Sequence, residues 1–261
     1  MQTVDKALGL LGYFSEQRPS IGLSDIARLA GFNKATTRRF LVALELHGFV
    51  EQDLVSRAYK LGPGLLRLAR VREATNPVTT IVQPVLEHLV AVTGETAHFS
   101  LYAGGSLATV GLVESTKSNR VMIGKGEAIP LHATASGMAY LAFARTAIVD
   151  AALGESLTAY TAQTITTPEK IRRQLLLVRK RGVAVVKSAY EDGVCGIAAP
   201  VFSSEDIACG AVAIAAPQAR AQQKIIRLAQ ASIRRAAEDI TVAMGGISHC
   251  VDIDGTQTTT G

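Results

Sequence analysis

Positive charge and hydroxyl groups are concentrated in one short segment of the first third of the chain. Lys34, Arg38 and Arg39 carry the charge, and Thr36 and Thr37 carry the hydroxyl groups. Arginine can bind guanine through two parallel hydrogen bonds, whereas hydroxyl groups and the amides at the start of a helix suit phosphate. These residue types favour a surface that binds double-stranded DNA, and the pattern leaves open which arginine contacts a base.

The spacing around this segment predicts a helix-turn-helix between Leu23 and Phe40. Such a motif requires a small residue where its two helices approach each other and a glycine in the turn between them. Ala27 and Gly31 meet these requirements, and apolar residues follow at helical spacing. The alternative interpretation is an ordinary small helical bundle whose charged side chains are only solvated.

Two polar residues mark where the helices of the motif are expected to begin. Ser24 and Asn33 are suitable N-caps, which predicts helices from 25 to 30 and from 34 to about 47. Thr37 replaces the branched aliphatic residue that is more usual at its position, but its methyl group can still contact the core.

The segments on either side complete a winged helix-turn-helix. An amphipathic helix is predicted from Val4 to Phe14, ended by Pro19. Two short strands at 49–51 and 58–61 enclose a polar connection and predict a hairpin, the wing. The candidate DNA contacts are Ser24, Asn33, Lys34, Ala35, Thr36, Thr37, Arg38, Arg39, Arg57 and Lys60.

Most of the excess positive charge lies in this N-terminal part. Residues 1–75 hold eleven basic and seven acidic side chains, against 16 and 15 in the remainder. Such an excess suits a polyanionic partner, although charge alone fits a solvated basic face equally well. We predict a DNA-binding domain at 1–63, a linker helix at 64–76, an effector-binding domain at 77–246 and a disordered tail at 247–261.

The pattern after the linker predicts an α+β domain. Helices are expected at 78–92, 135–143, 169–181 and 222–244, and strands at 98–102, 106–113, 183–188, 197–202 and 210–215. Helices flanking a largely antiparallel sheet form a layered α+β domain. About 170 residues of such a domain would be unnecessary for a protein that only binds DNA, which favours a second, sensing role.

The sequence gives little support for an enzyme or for a membrane-spanning protein. The GxSxG, HExxH, GxxxxGK[ST] and GxGxxG motifs do not occur, and the five histidines are scattered singly. The three cysteines lack CxxC spacing, so neither a cofactor nor a metal site is predicted. The N-terminus is unlike a signal peptide, and no apolar stretch is long enough to span a membrane. We expect a cytoplasmic protein that is not an enzyme.

Several segments together resemble the IclR family of bacterial transcription regulators. They are VDKALGLLGYF, LSDIARLAGFNKATTRRFLVALELHGFVEQD, YKLGPGLLRLA, TGETAHFSL, IPLHATASGMAYLAF and GVCGIAAPVF. The resemblance covers almost the whole chain, from Val4 to about Gly246. It implies a winged helix-turn-helix, a linker helix and a GAF-like effector domain, in dimers that often pair into tetramers. It also implies repression or activation of a catabolic operon, switched by a small molecule.

The resemblance also implies where the effector binds. The corresponding positions here are Leu131, Thr134, Ala135, Ser136, Met138, Val186, Cys195, Gly196, Ala213 and Ala215, with Cys195 and Gly196 as alternatives at one place. By this resemblance, a relative that binds small oxoacids has an acidic residue at the position of Val186 and serines at the positions of Ala213 and Ala215. This more apolar lining favours an aromatic acid, a lactone, a semialdehyde or another small organic acid as effector.

Some residues of this region admit two interpretations. Small residues and two hydroxyls between Leu131 and Ala139 could hold a carboxylate at a helix start, or could serve close helix packing. His98 and His132 could contact a ligand carboxylate, although single histidines are more often packing residues. Cys195 and Cys209 are expected to be buried thiols.

Overall fold

The computed structural model describes residues 2–247, except residues 16, 76–77, 125–127 and 155. The chain divides into two compact units, Met1–Pro77 and Val78–Gly261. Nearly all of the predicted disordered tail and the last residue of the predicted linker helix lie outside the described residues.

The first unit combines four α-helices with a small antiparallel sheet in its described part. Its elements are α1 (Gln2–Gly9), a 3-10 helix (Leu10–Tyr13), β1 (Ser20–Ile21), α2 (Leu23–Ala30), α3 (Lys34–Leu46), β2 (Val50–Gln52), β3 (Tyr59–Leu61) and α4 (Pro63–Thr75). The strand order is β1-β3-β2. The predicted hairpin is therefore confirmed within one residue. Strand β1 was not predicted, because two residues are too few to show an alternating pattern.

The turn of the helix-turn-helix forms as its sequence predicts, but one cap does not. Gly31 ends α2 in the left-handed region at φ +66°, which glycine adopts at little cost. Asn33 caps α3, and its Oδ1 accepts a hydrogen bond of 2.8 Å from the amide of Thr36. The prediction that Ser24 caps α2 is wrong. The helix begins at Leu23, which places Ser24 within its first turn, and Gly22 is the N-cap.

The core of this unit contains Ile26, Phe40 and Leu41, as the spacing predicts. The predicted apolar face of the first helix is only partly confirmed. Val4 is 62% exposed, and the deeply buried residue is Leu10. The chain changes from α to 3-10 geometry after Gly9, and the tighter winding changes which side chains point inward.

The second unit is the predicted α+β fold. Its elements are α5 (Val78–Thr93), β4 (Thr96–Ala103), β5 (Ser106–Val113), β6 (Ala128–Ile129), α6 (Ala135–Phe143), α7 (Thr146–Gly154), α8 (Pro168–Arg181), β7 (Ala184–Lys187), β8 (Val194–Phe202), β9 (Ala208–Pro217) and α9 (Gln223–Ala243). The sheet order is β6-β5-β4-β9-β8-β7, and every pairing is antiparallel. Most predicted elements are confirmed, whereas α7 and β6 were not predicted.

Helices cover both faces of this sheet. On one face, α5 and α9 pack on a core that includes Phe99, Leu86 and Ile233. On the other, α6 and α8 pack on a second core that includes Leu141 and Ile171. Because successive side chains of a strand point to opposite faces, Phe99 and its neighbour His98 belong to different layers. This division determines which residues can reach the cavity described below.

Candidate functional sites

The start of α3 presents a basic surface held by its N-cap. The Asn33 side chain fixes the first turn, and Lys34, Arg38 and Arg39 are all exposed. The Arg39 guanidinium lies 5.7 Å from the centroid of the Phe40 ring. Cations on a helix surface held at a fixed angle by a helix-turn-helix are suited to contact DNA.

Thr37 does not belong to this surface, contrary to its inclusion among the candidate DNA contacts. Its side chain is 0% exposed, and its Oγ1 donates a hydrogen bond of 3.0 Å to the carbonyl oxygen of Asn33. Since the methyl group and the hydroxyl are both enclosed, the residue supports the core. Its position in the buried stripe of α3 is the physical reason.

The wing presents two cations, Arg57 and Lys60, and among the described residues only Lys60 has an acidic partner. Asp53 accepts hydrogen bonds at Oδ1 from the amide and hydroxyl of Ser56, and these hold the pKa of the Asp53 carboxyl below its ordinary value. Arg57 follows at φ +59° and is exposed. Lys60 pairs with Glu51 through a 3.0 Å contact between Nζ and Oε1. Arg57 is therefore the more available of the two predicted wing contacts.

The second unit contains a cavity of about 250 Å³ on the α6 side of its sheet. It is lined by His98, Val121, Met122, Ile123, Gly124, Ala128, Ile129, Ala133, Thr134, Ala135, Ser136, Val186, Ala189, Tyr190, Glu191, Val194, Gly196, Ala213, Ile214 and Ala215. Seven of the predicted effector residues are among them, namely Thr134, Ala135, Ser136, Val186, Gly196, Ala213 and Ala215.

Three predicted effector residues do not line this cavity. Cys195 is 0% exposed and packs in the core beneath α5 and α9, because strand alternation turns it away from its neighbour Gly196. Leu131 and Met138 are buried in the core of the α6 side. These three residues serve the packing of the layers around the cavity.

His98 and Ser136 form a buried polar pair on the cavity surface. Ser136 is one of the predicted effector residues and His98 is one of the two histidines named as possible ligand contacts, but the contact between them was not predicted. His98 Nε2 lies 3.1 Å from Ser136 Oγ, and the two residues are 7% and 2% exposed. Burial lowers the pKa of His98 to about 4, so the imidazole is neutral near pH 7. Its Nδ1 has no hydrogen-bond partner among the described residues. The signal in the sequence was the alternation of polar residues along β4, which places Thr96, His98 and Ser100 in the interior.

His132, Cys195 and Cys209 lie in surroundings that fit a structural role better than ligand binding. His132 does not line the cavity, and its Nε2 lies 2.9 Å from the carbonyl oxygen of Thr158. Burial raises the pKa of the Cys195 thiol and raises that of Cys209 to about 11. Both thiols are therefore protonated near neutral pH. Cys195 is buried as predicted, whereas Cys209 is only half-buried.

Small residues at the start of α6 allow a close approach of the backbone. A side chain on Gly137 would meet the backbone of Leu131, and a Cβ on Gly196 would lie 2.9 Å from the Cβ of Ala135. The Thr134 hydroxyl caps the helix by accepting a 3.0 Å hydrogen bond from the Gly137 amide. Close packing therefore explains Gly137 and Gly196, while Ala135 lies at the cavity as well.

Comparisons with known proteins match both units. Residues 3–54 match the IclR helix-turn-helix domain, and residues 74–242 match the domain described as bacterial transcriptional regulator IclR C-terminal. The chain belongs to the IclR family. It is therefore a transcription regulator with a helix-turn-helix DNA-binding domain, and the predicted family and α+β fold are confirmed.

Relatives in this family match almost the full length of the chain. The transcriptional repressor IclR of Escherichia coli K12 is 26% identical over 95% of this chain and 91% of its own. A solved IclR-type regulator from Silicibacter sp. TM1040 is 42% identical, with a TM-score of 0.89, covering 94% of this chain and 96% of its own. An IclR homologue from Microbacterium hydrocarbonoxydans, solved with 4-hydroxybenzoate, shares the fold at 22% identity and a TM-score of 0.72, covering 93% and 98%.

A buried ion cluster holds the loop that forms one wall of the cavity in this IclR-family chain. Glu95 accepts hydrogen bonds of 2.8 and 2.7 Å from Arg220 and one of 3.0 Å from Lys117. Burial opposes ionisation of Glu95, but these hydrogen bonds outweigh it and lower its pKa. Thr96 Oγ1 also donates to the carbonyl oxygen of Val121, a lining residue. The cluster thus positions the cavity wall from outside.

The described residues contain no group of three or more potential metal ligands. No described helix is long and apolar enough to cross a membrane. The relatives XynR and IclR of Escherichia coli K12 are both transcription regulators.

Proposed function

We propose that α3 enters the major groove of an operator and that its first two turns contact the DNA. The observation that carries this proposal is the exposed basic start of α3, held by the Asn33 cap on a helix-turn-helix. Helix-turn-helix proteins contact base edges with the N-terminal residues of their second helix. Ser24, in the first turn of α2, and Arg57, in the wing, would contact the backbone.

The two arginines would have different roles. At 3.6 residues per turn, Arg39 projects from the side of α3 opposite its buried residues, as does Ala35, whereas Arg38 lies at the edge of that side. A side chain opposite the core points to the groove floor, and one at the edge points to a phosphate. We therefore propose that Arg39 contacts a base and Arg38 the backbone.

The C-terminal cavity would bind the small molecule that controls DNA binding. Its position coincides with seven residues that the family resemblance assigns to the effector, and the Microbacterium homologue holds 4-hydroxybenzoate. We propose repression of a catabolic operon by a dimer or a pair of dimers, relieved or strengthened by the ligand. The ligand acts by favouring one of two arrangements of the α4 linker helices, through different affinity for each.

Separate replacement of Arg38 and Arg39 by alanine tests the DNA-binding proposal. The operator is first selected from a random DNA library by the purified protein, and affinities for operator and random DNA are compared at fixed salt. Arg39→Ala is expected to weaken operator binding by about 1–3 kcal/mol and to spare random DNA, whereas Arg38→Ala weakens both. Arg173→Ala, an exposed arginine of α8, is the control. If neither variant loses about 1 kcal/mol, α3 is not the recognition helix.

The same preparation separates a sensor from an enzyme. A sensor returns its bound ligand unchanged, whereas an enzyme converts it. Any ligand found for the cavity is incubated with the protein and recovered for chemical analysis, and a chemically altered ligand would contradict the sensor proposal.

A further inference from the structure

The cavity contains little that could neutralise a negative charge. Among its lining residues in the described part of the chain, Glu191 is the only charged side chain, and it is acidic. His98 is neutral near pH 7 because its burial disfavours the protonated form. An ionised carboxylate removed from water without a cation loses its hydration with little compensation. The lining therefore disfavours an anionic ligand.

The polar groups that are present suit an uncharged oxygen. A neutral imidazole has one donor and one acceptor nitrogen, and a hydroxyl group can do both. The 3.1 Å contact between His98 Nε2 and Ser136 Oγ can therefore reverse direction, so that the pair either donates to a ligand or accepts from it. The Nδ1 of the same ring, buried and unpartnered among the described residues, leaves the ring free to adopt either tautomer.

The start of α6 offers less to an anion than a free helix terminus would. The Thr134 hydroxyl already accepts a hydrogen bond from the Gly137 amide. The walls formed by Val186, Ala213 and Ala215 are apolar. An apolar cavity of about 150 Å³ holds a benzene molecule. This cavity, with a volume of about 250 Å³, therefore accommodates one ring with a short substituent.

We propose that this cavity selects an uncharged carbonyl compound with one ring, such as a lactone, an ester or an amide, and binds its oxygen through Ser136 and His98. This inference rests on the proposed sensory function and narrows its ligand class. It excludes the carboxylate form of the same compounds as the preferred ligand. The ring lies against the apolar walls of β7 and β9.

Matched pairs of probes that differ mainly in charge test this inference. The pairs are benzamide with benzoate, and phthalide with its ring-opened form 2-(hydroxymethyl)benzoate. Binding to the full-length protein is measured by calorimetry at neutral pH without DNA. The uncharged member of at least one pair is expected to bind at least about tenfold more tightly than its acid, because the acid would place a charge in a cavity whose described lining residues include no cation. Failure of both uncharged probes to bind, or tighter binding of the acids, overturns the proposal.

Two serine variants test whether the ligand oxygen is bound by Ser136. Ser136→Ala is expected to weaken binding of the uncharged probe about fivefold, through loss of one hydrogen bond. The control is Ser100→Ala: Ser100 lies on the same face of β4 as His98, is as buried as Ser136 and does not line the cavity. It should leave the affinity unchanged. Equal effects of the two variants would remove Ser136 from the binding site.

The pH dependence gives an independent reading. An uncharged ligand should bind equally from about pH 6 to about pH 8, because burial lowers the pKa of His98 to about 4 and neither this ring nor the ligand changes its charge over that range. Glu191 and Tyr190 are the other titratable side chains known to line the cavity. An anion that draws a proton onto His98 would bind more tightly as the pH falls, and this result would contradict the proposal. Loss of acid binding in Lys125→Met, at a position outside the described residues, would contradict it as well.

A negative result in these measurements can be distinguished from a failure of the proposed function. They contain no DNA, so a negative result leaves operator binding by α3 untouched. Conversely, a protein that binds an uncharged probe but no operator would retain this inference and lose the regulatory role.

Discussion

The two candidate sites differ in how their residues are distributed along the chain. The proposed DNA contacts of α3 lie within seven consecutive residues, 33–39, on one capped helix. The cavity draws its lining from five strands, the start of α6 and two loops that are far apart in sequence. A contiguous site depends mainly on its own helix, whereas a dispersed site depends on the packing of the whole sheet. The predictions below test this difference.

The largest effect is expected from Phe99→Ala, which acts on the sheet face opposite the cavity. Phe99 is fully buried against α5 and α9, and removing a buried phenyl group costs about 3–5 kcal/mol. We expect that loss in the free energy of unfolding, together with weaker binding of the uncharged probe, measured by denaturant titration and calorimetry. Leu46→Ala, at an 82% exposed position, should change stability by less than about 0.5 kcal/mol. A Phe99→Ala protein with an unchanged free energy of unfolding would contradict the dependence of the cavity on the packing of the whole sheet.

The next effect concerns the ion cluster behind the cavity wall. Glu95→Gln leaves Arg220 without its carboxylate partner and should cost about 3 kcal/mol near pH 7. Because the pKa of Glu95 is lowered from 4.5, its stabilisation is present above that pH and is lost as the pH falls through the folded value. The difference in the free energy of unfolding between the unchanged protein and Glu95→Gln should therefore become smaller in acid. Glu114→Gln breaks the more exposed pair with Arg120 and should cost less than about 1 kcal/mol.

A smaller effect tests the register of β8. In Gly196→Ala the new Cβ would lie 2.9 Å from Ala135 at the cavity, so affinity for the uncharged probe should fall about tenfold, or about 1.4 kcal/mol. Cys195→Ala changes the neighbouring residue on the opposite face and should retain that affinity, at some cost in stability. Reversed outcomes, measured by calorimetry, would place the cavity on the other face of the strand.

The smallest effect tests the local character of the DNA-binding unit. Asn33→Ala removes the cap of α3 and should cost about 1 kcal/mol of stability. Ser24→Ala should cost almost nothing, since no hydrogen bond caps α2 through that side chain. Equal losses in thermal unfolding would mean that Ser24 supports the motif in a way its position does not show.

The same difference explains how much the sequence could predict. The turn at Gly31 and the cap at Asn33 depend on neighbouring residues and were predicted correctly. Thr37 was assigned to the DNA because its type suits phosphate, yet its place in the stripe of buried residues encloses it. Local spacing predicted the motif, and only packing shows which faces of the helix remain free.

The cavity was less predictable because its residues meet through strand pairing. The segment around Ala135 was identified, but Cys195 and Gly196 could not be separated, since a shift of one residue reverses the face. His98 contacts Ser136 across 38 positions of sequence, and no local pattern reports such a contact. The alternation of polar residues in β4 was the available signal.

The central claim is that a ligand in the cavity controls DNA binding by α3, and operator affinity with and without ligand tests it most directly. The full-length protein is titrated onto its selected operator at fixed salt, alone and with the cavity saturated by the uncharged probe. We predict a change of at least about fivefold, corresponding to about 1 kcal/mol of coupling, and a smaller change in Gly196→Ala at the same probe concentration. An operator affinity that stays the same while calorimetry shows a saturated cavity would contradict the account.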